Sequence, residues 1–96
     1  MATWKEIYNA VPNKPFGVGK DEQALTEAFE NFVGGPKRGF HLMRIYGKSL
    51  GRVSKNYFKR DKADHIDLEQ DFRDNAMYEG FTNEEATAYL DYVAEV

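Results

Sequence analysis

Residues 37–60 have the sequence KRGFHLMRIYGKSLGRVSKNYFKR and determine which fold class the chain is expected to adopt. One set of apolar side chains recurs at steps of four, four, three and four residues: Leu42, Tyr46, Leu50, Val53 and Tyr57. A basic set follows the same steps two residues later: Arg44, Lys48, Arg52, Lys55 and Lys59. Because each residue of an α-helix turns by about 100°, an offset of two places the sets on opposite sides of one helix. The pattern therefore predicts an amphipathic helix with an apolar side and a basic side.

Two glycines are the main objection to a helix in this segment. Gly47 and Gly51 would each destabilise a helix interior by about 1 kcal/mol relative to alanine, unless they mark a break or the close approach of another backbone. The competing prediction is a small β-hairpin at about residues 40–58 that turns at Gly47-Lys48, which would make the fold α+β. Its alternation is poor, because Arg44 would share a strand face with Leu42 and Tyr46. We therefore favour the helix.

Helix-start and helix-stop signals divide the rest of the chain into four further segments. Residues 3–6 (Thr-Trp-Lys-Glu) and 82–85 (Thr-Asn-Glu-Glu) are capping boxes that predict the starts of the first and last helices. The second segment ends at Gly34-Gly35-Pro36, and the fourth is expected to start near Asp64, with Asp67 three residues later. Amphipathic segments joined by short loops predict an all-α fold, a small bundle of four to five short helices.

Charge is distributed unevenly along the chain. Residues 37–60 contain eight basic side chains and no acidic one, whereas the rest contains sixteen acidic side chains and five basic ones, for a net charge of −3. A concentrated field of one sign attracts partners of the opposite sign. The predicted partner-binding residues are therefore the eight basic ones: Lys37, Arg38, Arg44, Lys48, Arg52, Lys55, Lys59 and Arg60.

An acidic protein surface is the partner that we favour for this basic segment. The chain as a whole is acidic, with a pI of about 5.3. Domains that bind nucleic acid without sequence preference are usually basic overall. Nucleic-acid binding stays the alternative, with the basic side chains following phosphates while Phe40, Tyr46 or Phe58 stacks on bases. Small, cysteine-free chains with such a polarised surface suit an inhibitor or regulatory accessory, such as a phage-encoded one. The predicted function is thus a non-enzymatic binding protein.

A second interpretation of the basic segment requires no partner. An acidic row at steps of three, four and three lies on the predicted fourth helix: Asp64, Asp67, Asp71 and Asp74. The connection between this helix and the basic one is short, so the two are expected to be antiparallel neighbours. The acidic row would then neutralise the basic side within the molecule. The sequence leaves both interpretations open.

No motif for catalysis or cofactor binding is complete. Residues 17–20 (Gly-Val-Gly-Lys) and 47–49 (Gly-Lys-Ser) lack the upstream glycine of a phosphate-binding loop, and neither follows a convincing strand. The local cluster of metal-ligand types consists of Asp61, Asp64, His65 and Asp67. Helix capping explains its acids, and a second histidine is missing. We therefore predict no metal site, no cofactor and no enzymatic activity.

Composition indicates a globular protein. Apolar residues make up 42% of the chain and aromatic residues 15%, well above the low hydrophobicity of disordered chains. Ninety-six residues can form one modest core, so a single domain over residues 1–96 is expected. The sequence has no cysteine, no apolar run that could cross a bilayer and no basic-then-apolar leader. The expected location is the cytoplasm, without contact to a membrane; nothing indicates an oligomeric state.

Overall fold

The computed structural model describes residues 2–58 and 67–95 of the chain. These residues form five helices: α1 (Trp4–Ala10), α2 (Glu22–Val33), α3 (Pro36–Phe58), α4 (Leu68–Tyr78) and α5 (Asn83–Glu95). The described ranges contain no β-sheet, apart from one isolated bridge between Asn13 and Lys20 in the loop after α1. The prediction of an all-α bundle is confirmed, and the alternative hairpin at about 40–58 is wrong.

The two predicted capping boxes mark real helix starts. The Thr3 hydroxyl accepts a hydrogen bond from the Glu6 amide at 3.3 Å, at the start of α1. Before α5 the box is reciprocal: the Thr82 hydroxyl accepts from the Glu85 amide at 3.0 Å, and the Glu85 carboxylate accepts from the Thr82 amide at 2.9 Å. Each bond satisfies an amide that the helix itself leaves without a partner.

The start of α4 differs from the predicted one. Asp67 has an extended backbone, with φ −74° and ψ 121°, and its carboxylate accepts a hydrogen bond from the Gln70 amide at 3.0 Å. Asp67 is therefore the N-cap, and the helix begins at Leu68 rather than near Asp64, which lies outside the described residues. Both aspartates are good N-cap residues, and sequence alone ranked the wrong one first.

A tight corner joins α2 to α3. Gly34 ends α2 in the left-handed conformation, with φ 98°, and Pro36 is the first residue of α3. Proline suits a first helical position because the helix has no use for an amide there. One turn later, a Cβ at Gly39 would lie 3.0 Å from the ring of Phe29. Glycine at position 39 therefore lets α3 cross close to α2.

Short helix α1 is fastened to α5 by polar contacts. The Trp4 amide donates to the Glu84 carboxylate at 2.8 Å, and the Trp4 indole donates to Asp91 at 2.9 Å. One turn later, the Tyr8 hydroxyl donates to Glu95. That hydrogen bond is the largest cause that raises the pKa of Tyr8 to about 12 and lowers the pKa of Glu95 below its ordinary value. These contacts close the bundle at its termini.

One apolar core lies between the helices. Helix α3 packs against α2 and α4, α5 packs against both of them as well, and α1 packs on α2 and α5. Phe72 is fully buried at the centre, with its ring 5.5 Å from Tyr46 and 5.3 Å from Tyr89. The core consists of Trp4, Val11, Leu25, Phe29, Val33, Leu42, Ile45, Phe72, Ala76, Phe81, Ala86, Ala88 and Tyr89. Of the helices described, none is both long and apolar enough to span a bilayer.

Helix α3 is continuous but rotated relative to the prediction. Leu42, Ile45 and Ser49 are buried, whereas Leu50, predicted for the inner side, is 43% exposed. Ser49 is fully buried and accepts a hydrogen bond from Arg52 at 3.2 Å. The predicted inner row is wrong at Leu50, because a polar residue takes the buried position and contributes no hydrophobic signal to the sequence pattern.

Candidate docking surface

Arg38, one of the eight predicted binding residues, is used inside the molecule. Its Nε donates to the carbonyl of Val33 at 2.6 Å, where the end of α2 leaves acceptors without helical partners. Its guanidinium lies 3.2 Å from the Glu85 carboxylate and 4.4 Å from the ring centroid of Phe81. Arg38 therefore joins the end of α2 to the start of α5, and its charge is already neutralised.

Arg52 is likewise paired within the bundle. It donates to the Asp71 carboxylate through Nη2 at 2.7 Å and through Nε at 3.1 Å. Burial raises the pKa of Asp71, but hydrogen bonds from Arg52 and Ser49 and the charge of Arg52 outweigh it, so this pKa lies below its ordinary value. The internal-pairing interpretation is thus confirmed at this one place.

The rest of the predicted acidic row has other uses. Asp67 caps α4, and Asp74 accepts a hydrogen bond from Gln70 at 2.8 Å on its own helix. Asp64 lies outside the described residues. Among the described aspartates of this row, Asp71 alone pairs with a basic side chain of α3. Internal pairing therefore neutralises a minority of the described basic residues of α3.

Four exposed cations form a row along α3: Lys37, Arg44, Lys48 and Lys55. Within residues 2–58 and 67–95, no carboxylate oxygen lies within 4.0 Å of their side-chain nitrogens. At about 100° per residue the four fall within an arc of about 40°, and at about 1.5 Å per residue the row is about 27 Å long. We call these four residues the basic row. Lys59 and Arg60, also predicted to bind the partner, lie outside the described residues.

A polar cleft of about 350 Å³ separates the middle of the basic row from α4. Its α3 side includes Arg44 and Lys48, and its α4 side includes Asn75 and Glu79. The Glu79 carboxylate lies 3.4 Å from Nε2 of His41. The cleft therefore combines cations with at least one carboxylate, and its chemistry suits polar groups of mixed charge.

An exposed apolar strip, not predicted from the sequence, lies beside the basic row. The strip consists of Phe40, Met43, Gly47 and Leu50, and its three large side chains are 59%, 47% and 43% exposed. Their steps of three, four and three residues are helical, and the strip lies about 100° around α3 from the basic row. The helical spacing of these residues is visible in the sequence, but the predicted pattern places Leu50 in the core and treats Phe40 as a candidate for base stacking.

A shallow groove of about 280 Å³ continues the apolar strip towards α2 and α5. Phe40 and Met43 form one wall, and Phe29 and Tyr92 line the other side. The rings of Phe29 and Tyr92 are stacked, with their centroids 4.8 Å apart, so the groove has a firm aromatic wall. The groove could therefore accommodate apolar side chains of a partner.

Other sequence candidates do not gather into a site. Residues 17–20 lie in the loop between α1 and α2, and residues 47–49 lie within α3, so neither has the strand–loop–helix setting of a phosphate-binding loop. No cluster of three metal-ligand side chains occurs in the described part of the chain. His65 lies outside it. Tyr46, a candidate for base stacking, packs instead against Phe72 in the core.

Comparisons with known proteins add no relative: no family model, no curated protein sequence and no solved structure matches the chain.

Proposed function

We propose that the chain is a small non-enzymatic binding protein that docks α3 on an acidic surface of a partner protein, as an inhibitor or regulatory accessory would. The observation that carries this proposal is the basic row. It presents four cations along about 27 Å of helix, with no described carboxylate within 4.0 Å of their side-chain nitrogens. Such a field speeds the encounter with a surface of opposite charge and selects against surfaces of the same charge.

The surroundings of the basic row support a binding role over a merely solvated surface. Outside residues 37–60 the chain holds sixteen acidic side chains, so carboxylates for internal pairing are abundant. Two arginines of the same helix, Arg38 and Arg52, are in fact paired. The basic row lies on another side of α3, beside an exposed apolar strip. Exposed apolar patches rimmed by polar or charged groups mark protein-binding surfaces, where the charges contribute mainly to the rate and specificity of association.

The acidic groups near the basic row favour a protein partner over a nucleic acid. Glu79 lines the cleft together with Arg44 and Lys48, and Asp71 binds Arg52, which also lines that cleft. A phosphate backbone would bring negative charge against these carboxylates. A protein surface carries both acidic and basic side chains, so it can place an opposite charge next to each cation and each carboxylate of this surface.

The proposal is tested with a matched pair of charge reversals. Lys48→Glu reverses the centre of the basic row, and Lys5→Glu makes the same change at an exposed lysine of α1. Each variant and the original chain are immobilised and exposed to nuclease-treated lysate of the native host. We expect one acidic protein to be captured by the original chain and by Lys5→Glu, and to be lost from Lys48→Glu.

Two outcomes would contradict the proposal. Equal capture by Lys48→Glu would show that the basic row is not the docking surface. Loss of all capture on nuclease treatment, with direct binding to an oligonucleotide that weakens steeply with salt, would assign the row to nucleic acid instead.

A further inference from the structure

We infer that the partner presents an amphipathic α-helix with one acidic flank, which lies along α3 with its apolar face on the strip Phe40, Met43, Gly47 and Leu50. Its acidic flank faces the basic row. This inference rests on the proposed function, because the charge of the partner is taken from the basic row. It adds which secondary structure docks and which surface of α3 provides the contact.

The apolar strip has the dimensions and chemistry of a helix-docking face. Phe40, Met43 and Leu50 expose between 43% and 59% of their surface along one side of α3, with Gly47 at the turn between Met43 and Leu50. Contiguous exposed apolar groups on a small protein indicate an interaction site. A helix laid on such a strip contacts it at every turn, which is the arrangement of helix-in-groove recognition.

Glycine at position 47 is explained by a contact from outside the molecule. A Cβ at Gly47 would meet nothing within 4 Å, so no described neighbour in the chain requires glycine there. Glycine inside a helix is less stable than alanine by about 1 kcal/mol. Because glycine has no side chain, it leaves a shallow gap in the strip between Met43 and Leu50. A partner backbone can approach α3 more closely at this gap than it could over a larger side chain.

The positions of the two surfaces define the partner helix. The strip and the basic row lie about 100° apart around α3. A helix about 10 Å wide that lies on the strip can therefore reach the row with Asp or Glu side chains from one flank. To match the whole row, it needs about 18 residues at about 1.5 Å each. The groove of about 280 Å³ beside Phe40 and Met43 would receive one large apolar side chain from it.

Charge argues against a second copy of this chain as the occupant. Outside α3, the large apolar side chains that are exposed in the described residues are Met77 and Tyr78 at the end of α4 and Phe16 and Val18 in the loop between α1 and α2. Neither pair recurs at helical spacing, so the apolar helix face that a copy could offer is α3 itself. In an antiparallel pair of copies joined through this strip, the two basic rows would lie on the same side of the interface. Like charges placed opposite each other across an interface disfavour association.

A display library of helical peptides tests the inference without knowledge of the natural partner. Peptides of about 18 residues, randomised on all faces, are selected for binding to the intact chain. We expect enrichment of helices with Leu, Ile or Met along one face and Asp or Glu along the adjacent flank. Enrichment of basic or non-helical peptides would overturn the inference, as would no enrichment or dimerisation of the chain itself in sedimentation.

Three variants then locate the binding surface. Gly47→Gln fills the notch without altering charge, Lys48→Glu reverses the basic row, and Glu27→Gln on the exposed side of α2 is the control. We expect the enriched peptides to bind Gly47→Gln and Lys48→Glu at least about tenfold more weakly, and Glu27→Gln unchanged. Thermal unfolding of Gly47→Gln should occur at or above the original midpoint, which separates lost docking from lost folding.

The same variants separate the inference from the proposed function. Binding of the lysate partner that is lost in Lys48→Glu but unchanged in Gly47→Gln would overturn the docked helix and leave the basic row as the docking surface. Binding unchanged in both variants would overturn both.

Discussion

Position around a single helix separates the basic residues of α3 into two groups with different roles. Arg38 and Arg52 lie at the edge of the buried face, where each reaches a carboxylate on a neighbouring helix. Lys48 lies further out and has no described carboxylate within 4.0 Å. Side-chain charge is the same in both groups, so the surroundings of each residue decide whether that charge supports the fold or stays exposed on the surface.

Charge reversal should distinguish these two groups in stability measurements. Arg52→Glu would place a carboxylate beside Asp71 and remove the hydrogen bonds that Arg52 donates to Asp71 and Ser49, so we expect a loss of about 2 kcal/mol in the free energy of unfolding. Lys48→Glu at the exposed row should change it by less than about 0.5 kcal/mol. Urea unfolding followed by circular dichroism gives both values. Equal losses would show that the basic row also supports the fold.

Asp71 should make stability depend on pH. Its pKa is lower in the folded chain than its ordinary value of 3.8, so its charged form stabilises the fold above about pH 4, and this contribution is lost as pH falls through the lower folded value. We expect Asp71→Asn to be less stable than the original chain by about 1 kcal/mol at neutral pH, since Arg52 is partly exposed.

The comparison with Asp71→Asn cancels the titration of other groups, including Glu95. The stability difference between the two chains should begin to shrink below about pH 4, where unfolded Asp71 takes up a proton, and should keep shrinking as pH falls through the lower pKa of folded Asp71. Urea unfolding between about pH 2 and pH 7 measures it. A stability difference that stays constant over that pH range would show that the negative charge of Asp71 does not stabilise the fold.

At the level of single residues, Ser49 shows what the sequence could not reveal. Hydrophobic periodicity assigns inner positions by apolar character, so Leu50 was preferred to its polar neighbour. In the structure Ser49 is buried because its hydroxyl has a partner in Arg52, which requires the tertiary fold to be known. The resulting rotation of α3 leaves Leu50 on the surface, where it extends the apolar strip that begins at Phe40 and Met43.

Among the helices, local signals predicted the ends well and the orientation of faces less well. Thr3, Thr82 and Gly34 mark helix ends through bonds to nearby backbone, so the sequence around them is sufficient. Which face of α3 is buried depends on its packing against α2 and α4. Those contacts are made in the folded chain and cannot be read from the residues of α3 alone. The existence of the basic surface was therefore predictable, but its division into paired and exposed residues was not.

Helix α3 should become more stable when Gly47 is replaced. Alanine has a higher helix propensity, and a Cβ at this position meets nothing within 4 Å, so we expect Gly47→Ala to gain about 1 kcal/mol. For a chain of this size, that gain corresponds to a rise of roughly 4–8 °C in the unfolding midpoint. Differential scanning calorimetry measures it. An unchanged or lower midpoint would indicate that an internal contact requires the glycine.

At the scale of the whole molecule, the chain is an acidic helical bundle, and the exposed side of its helix α3 carries the basic row and, next to it, the apolar strip. Net charge is −3, and residues 37–60 contribute eight of the thirteen basic side chains. The acidic remainder discourages nonspecific contact with other polyanions. Under the proposed function, the apolar strip would provide a buried contact to the acidic partner that the basic row attracts.

Photo-crosslinking from α3 tests this account most directly. A benzophenone amino acid replaces Gly51, which lies between the strip and the basic row and whose Cβ would meet nothing within 4 Å. The control carries the same amino acid at Glu27 on α2. In nuclease-treated host lysate, we predict an adduct with one acidic protein at position 51, none at position 27, and loss of that adduct when Lys48→Glu is added. Equal adducts at both positions, or an adduct at position 51 that persists with Lys48→Glu, would contradict the account.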